Sequence, residues 1–135
     1  MEKAVVIAVC LGASLTDLRS RRIPNWLNGS GLVLVLGARY GTAGPSGVLD
    51  ASTSLLMALP LVAMSLVRPL GFGMGDSKLM MVVFAGLGPS GLLVLLIACT
   101  GGTLWALVSG GPRASVPIPL APFIAAGAVA AGFPW

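Results

Sequence analysis

The side chains able to exchange protons near neutral pH are few in this sequence. It has no histidine, and its only acidic residues are Glu2, Asp17, Asp50 and Asp76. Cys10 and Cys99 lie far apart in apolar runs and read as small buried hydrophobes, not as a disulfide framework or a metal site. Glu2 is terminal and Asp50 sits at a loop edge, where a solvated carboxylate needs no further explanation. Asp17 lies in Thr16-Asp17-Leu18-Arg19-Ser20-Arg21-Arg22-Ile23-Pro24-Asn25, directly after an apolar run. A structural role there would be an i,i+4 ion pair with Arg21, worth a few tenths of a kcal/mol. A carboxylate near a helix C-terminus also opposes the macrodipole, which weakens that reading. Asp76 lies in Gly71-Phe72-Gly73-Met74-Gly75-Asp76-Ser77-Lys78, just ahead of another apolar run. Asp is a good helix N-cap, which is its structural reading. The alternating Gly71, Gly73 and Gly75 remove side chains from the approach to the carboxylate, so that another backbone can come close.

Asp17 and Asp76 gain meaning as a pair. Two carboxylates held close together do not both ionise easily, so they share a proton. One then serves as general base toward a water and the other as general acid toward a carbonyl oxygen or leaving amine. No metal-ligand cluster competes with them. Ser77 and Lys78 are adjacent, and neighbours on a helix do not face each other.

The elements that must position this pair are membrane helices. The chain is 56% hydrophobic and 9% charged, against about 25% charged in ordinary soluble domains. Six apolar segments stand between charges, prolines and glycines, at 3–16, 27–40, 48–67, 79–87, 92–108 and 116–133. The expected fold is an all-α polytopic membrane bundle of one domain, 1–135, with about six transmembrane helices. The count drops to five if Gly86, Gly88, Pro89 and Gly91 kink one helix instead of turning the chain. The third, fifth and sixth segments reach the length of about 17–25 residues that a span needs, and the others must borrow flanking residues. Frequent glycine (19) and proline (10) suit packed membrane helices.

The charges orient the chain. Arg19, Arg21 and Arg22 follow the first apolar run instead of preceding it, so the run reads as a retained helix and not an export signal. With the N-terminus outside and six spans, Arg19, Arg21, Arg22, Arg68, Lys78 and Arg113 fall inside, and only Lys3 and Arg39 outside. That is the positive-inside bias. Five spans would move Arg113 outside. Asp17 and Asp76 then share the inner face. Trp26 and Trp105 fall near the inner interface, Tyr40 and Trp135 near the outer one. The eight basic residues are scattered without an aromatic-interleaved stripe, so nucleic acid is not an expected partner.

The two aspartate segments resemble those of the type IV prepilin peptidases, a branch of the GxGD membrane aspartic proteases. Asp17 to Asn25 is similar to their first aspartate motif, and Gly73-Met74-Gly75-Asp76-Ser77-Lys78 to their Gly-x-Gly-Asp-x-Lys motif. The segment 119–127, Pro-Leu-Ala-Pro-Phe-Ile-Ala-Ala-Gly, is similar to their last-helix Pro/Gly segment. The resemblance covers nearly the whole chain in the expected order. It implies that Asp17 and Asp76 are catalytic. It implies supporting roles for Arg22, Ile23, Pro24 and Asn25 after the first aspartate, and for Gly73, Gly75 and Lys78 around the second. The implied activity is leader-peptide cleavage of prepilin or pseudopilin precursors at the cytoplasmic face of the inner membrane. It needs no metal or cofactor, and pilus-assembly machinery is a further expected partner. The short length resembles the branch serving tight-adherence (Flp-type) pili or related archaeal systems. Larger members carry a cysteine-rich cytoplasmic domain and N-methylate the product. Here 25–32 leaves no room for such a domain and there is no Cys-x-x-Cys, so methyl transfer is not expected.

Two other readings use the same residues. A small transporter or proton relay would use Asp17 and Asp76 as ion ligands. An ion pathway would more naturally carry a polar group near mid-bilayer. An inactive subunit of a pilus machine would share the fold. The Ile23-Pro24-Asn25 motif favours the peptidase and the inactive subunit over the transporter.

Overall fold

In a computed structural model, the structure describes residues 1–67, 73–109 and 118–132. Arg68, Gly71, Arg113 and Trp135, used above for orientation and for the glycine pattern, lie outside the described residues. The described residues are helical, with no strand among them: α1 (Glu2–Ser20), α2 (Asn25–Leu55), a 3-10 turn (Leu56–Ala58), α3 (Leu59–Val67), α4 (Met74–Leu87), a second 3-10 turn (Gly88–Ser90), α5 (Gly91–Val108) and α6 (Ala121–Gly132).

Six separate helices were the expectation, and the helix boundaries correct it. Among the described residues there are four continuous helical tracts, because α2 runs on into α3 and α4 into α5. Two of them, Asn25–Val67 and Met74–Val108, are long and apolar enough to cross a membrane. The cause lies in two Gly-Pro pairs. Gly44 takes φ 63° inside α2, and Gly88 takes φ 57° after α4. Glycine enters that region without a Cβ penalty. Pro45 and Pro89 follow, and a proline at the start of a new helical stretch gives up no needed N–H. Helical structure therefore resumes at once, leaving no loop to separate two helices.

Contacts along α4 show what the bends do. Asn28 meets Gly75 and Arg39 meets Gly86, so the first part of α2 runs parallel to α4. Beyond Gly44 the order inverts: Ser54 lies near Gly88, Leu61 meets Ser77 and Ser65 meets Met74. The tract thus doubles back at Gly44 and clasps α4 between its halves. The second long tract doubles back at Gly88. On the other side, α1 runs antiparallel to α4, with Val6 against Gly86. It also runs antiparallel to α6, with Ile7 against Gly132 and Asp17 against Ala121. Finally α5 pairs antiparallel with α6, with Val94 against Gly127 and Phe123 against Gly101.

The core centres on α4. Leu79, Met80, Val83, Phe84 and Ala85 are fully buried there, against Val6, Cys10 and Ala13 of α1 and Val35 of α2. Small residues elsewhere let helices approach closely, as in membrane bundles. The outer faces carry large apolar side chains instead: Val33, Leu34, Leu49, Leu92, Leu96 and Leu104 are all more than half exposed. So broad an apolar surface suits a lipid solvent and not water.

At the far end from Asp17, Arg39 donates to the Gly86 carbonyl at 2.9 Å and pairs with Glu2 at 3.4 Å. Glu2, taken above as merely solvated, thus forms the one ion pair found among the described residues.

Candidate active site

Both aspartates belong to helices that extend beyond the apolar runs. The expected 3–16 segment becomes α1 through Ser20, so Asp17 sits in its last turn. Thr16 and Ser20 hydroxyls donate back to the Ala13 and Thr16 carbonyls, which lets these polar residues stay helical. Arg21 ends the helix at φ 51°, with its N–H donating to the Asp17 carbonyl at 2.8 Å. The ion pair with Arg21 that a purely structural role would use does not form. Instead the Asp17 carboxylate, 9% exposed, accepts at Oδ2 from the backbone N–H of Ala121 at 3.4 Å. Ala121 opens α6, and the positive end of a helix dipole is a favourable neighbour for an anion.

Asp76 is not the N-cap of α4. Gly73 is, in an extended conformation without a side-chain cap bond, and Asp76 lies inside the first turn. Here a carboxylate complements the dipole. Oδ1 of Asp76 is buried with no hydrogen-bond partner among the described residues. Such an acceptor is costly to bury unless a donor arrives.

The two carboxylates meet in one cavity of about 300 Å³, lined by Asp17, Arg21, Arg22, Ile23, Gly73, Met74, Gly75 and Asp76. Gly73 and Gly75 each leave space for a neighbouring side chain. A Cβ on Gly73 would stand 3.0 Å from Oδ2 of Asp76, and one on Gly75 would stand 3.2 Å from Cβ of Ile23. Removing those side chains makes room for the acid itself and for the chain that leaves α1.

The supporting residues divide between two places. Arg22, Ile23, Gly73 and Gly75 line the aspartate cavity. Pro24 is the N-cap of α2, extended at φ −67° and ψ 138°, and turns the chain out of the α1–α2 connection. Lys78 and Asn25 pair with each other, Nζ donating to Oδ1 at 2.9 Å, beside a second cavity. Lys78 is therefore not aimed at the carboxylates. Ser77 points elsewhere again, its hydroxyl donating to the Leu61 and Gly73 carbonyls, so it forms no dyad with Lys78.

Three participants escape a reading by motif. Met74 lines the cavity and Ala121 reaches Asp17 through its backbone, which no side-chain pattern reveals. Asn28, 4% exposed, donates from Nδ2 to the Gly75 carbonyl at 3.2 Å. Its signal was available: an amide at the start of an apolar segment, if buried, must find a partner. Among the described residues no three of His, Cys, Asp and Glu gather as a metal-ligand set.

No curated protein and no solved structure matches the chain. The sequence profile of the type IV leader peptidase family matches residues 4–107. That match takes in both aspartate segments and nearly all of α1 to α5, and the chain accordingly belongs to the type IV leader peptidase family.

Proposed function

We propose that this protein is an aspartic endopeptidase that removes the leader peptide from prepilin-like precursors at the cytoplasmic face of the inner membrane. The observation that carries the reading is the shared cavity: Asp17 from the end of α1 and Asp76 from the start of α4 line it together, with a carboxylate oxygen on Asp76 that has no partner among the described residues. In the proposed reaction one ionised carboxylate takes a proton from water. The resulting hydroxide bonds to the scissile carbonyl carbon while the other, protonated carboxyl gives its proton to the carbonyl oxygen. The tetrahedral adduct then collapses: the leaving nitrogen takes a proton from the first carboxyl, the C–N bond breaks, and an adduct hydroxyl returns its proton to the second carboxylate as the C=O re-forms, so both groups end as they began. Asp17 is suited to carry charge between steps, because the α6 N-terminus faces it.

The chain would thread the membrane six times, the two long tracts crossing twice each by doubling back at Gly44 and Gly88. Oriented by the positive-inside bias, the N-terminus would lie outside and both aspartates inside. Cysteine-accessibility labelling should find Ser20 and Gly73 reactive from the cytoplasm and Gly44 from the opposite side. Labelling of Ser20 and Gly73 from different sides would rule out a shared site.

The direct test is co-expression with a candidate precursor, followed by mass spectrometry of the product: a single cut after the leader, without added methyl, is expected. Cleavage should also survive chelators and the double change Cys10→Ala, Cys99→Ala, since the proposed chemistry uses neither metal nor thiol. Activity lost on chelation and restored by one particular metal would contradict the two-carboxylate mechanism.

A further inference from the structure

A second cavity of about 250 Å³ lies on the other side of the first turn of α4, lined by Asn25, Asn28, Gly29, Leu32, Lys78, Met81 and Val82. Its walls are mostly apolar, and its size is below the roughly 300–1,000 Å³ of ordinary small-molecule pockets. It suits one side chain better than a cofactor or a lipid tail.

Two polar groups at this cavity are incompletely used. Asn28 is 4% exposed, and while its Nδ2 is bonded to Gly75, its Oδ1 is buried with no partner among the described residues. Lys78 donates one bond to Asn25, and an ammonium has three donors. The cavity therefore presents an acceptor and a donor beside an apolar hollow. A peptide group offers the complement, an N–H and a C=O on neighbouring atoms. A phosphodiester offers acceptors but nothing to Asn28 Oδ1. The two cavities are also joined through one residue: Gly75 lines the aspartate cavity, and its carbonyl is held by Asn28.

The geometry points to this second cavity as a substrate subsite: it takes one apolar side chain of the precursor near the scissile bond, with the adjoining peptide N–H on Asn28 Oδ1 and a C=O on Lys78 Nζ. The inference rests on the peptidase reading and adds to it the residues that hold the substrate. It makes Lys78 and Asn28 binding residues and leaves proton transfer to the aspartates.

Gly29 provides the test, because a Cβ there meets nothing within 4 Å. Gly29→Leu should fill the hollow without disturbing the bundle. For a cleaved precursor, KM should rise about tenfold, the worth of excluding one buried apolar side chain, while kcat stays within about threefold. Replacing the apolar residue beside the scissile bond by Ala should largely abolish the difference between wild type and Gly29→Leu. Lys78→Ala should likewise act mainly on KM, with partial rescue by Lys78→Arg. A second measurement does not depend on turnover: benzoylphenylalanine at position 29, in the Asp76→Asn background, should photocrosslink to the precursor within a few residues of the cleavage point. Crosslinks to lipid alone, or an unchanged KM in Gly29→Leu with cleavage intact, would overturn the subsite and leave the peptidase reading standing. A precursor that crosslinks at position 29 but is never cut by the wild-type chain would overturn the peptidase reading and keep the peptide-binding site.

Discussion

Asp17→Asn and Asp76→Asn should each reduce leader cleavage by about 10²–10⁴-fold, the usual contribution of a positioned acid or base. The amide is nearly isosteric with the carboxyl, so membrane insertion and folding should persist. In Asp76→Asn the amide would still fill the space that Gly73 leaves for the acid, and in Asp17→Asn it would still present an oxygen to the Ala121 N–H. Neither amide can take the proton of the attacking water or return it to the leaving nitrogen. Because the two carboxyls act as one unit in a common cavity, the double mutant should be little worse than either single one. Asp50→Asn is the control and should cleave at the wild-type rate. The assay is conversion of full-length precursor to its trimmed form with equal amounts of inserted enzyme. An Asp76→Asn chain that cleaves normally would rule out the mechanism.

The second large effect expected is on folding. A Cβ on Gly127 would stand 3.0 Å from both Cα and the carbonyl oxygen of Val94, which are backbone atoms unable to step aside. Gly127→Leu should therefore force α6 away from α5. Overpacking of this kind typically costs about 1–3 kcal/mol, and a clash with backbone belongs at the upper end. Thermal unfolding in detergent should shift down clearly. Activity should fall beyond what the lost folded protein explains, because α6 also carries the Ala121 N–H that meets Asp17. Gly29→Leu, which adds the same side chain where no atom lies within 4 Å, should unfold like the wild type. Equal unfolding temperatures for the two variants would mean that the α5–α6 contact does not carry this share of the stability.

Much of this protein follows from its sequence alone. A chain with few charges and apolar runs of span length can satisfy its backbone in lipid as helices, and the described residues are helical. With four acids and no histidine, the candidate carboxylates are few before any fold is known. The two aspartate motifs identify the family, and the match over residues 4–107 agrees.

The rest depends on how the helices pack. Hydropathy shows where apolar runs pause, but not whether a pause ends a helix. At Gly44 and Gly88 backbone conformation settled that in favour of continuous, doubled-back tracts, because Gly-Pro lets the chain bend and resume helix without a loop. Helix ends were likewise hidden: Asp17 and Asp76 lie inside helical turns, since hydrogen bonding and not hydrophobicity determines where a helix stops. Linear order also grouped Asp76 with Lys78. Residues two positions apart on a helix point about 200° apart, so the bundle sends Asp76 to the aspartate cavity and Lys78 to Asn25 on the far side of α4. The partners from distant segments, Ala121 for Asp17 and Asn28 for Gly75, exist only once α6 and α2 are packed against α1 and α4. One end of each bond is a backbone group, the Ala121 N–H and the Gly75 carbonyl, which every residue carries and which no sequence pattern can single out.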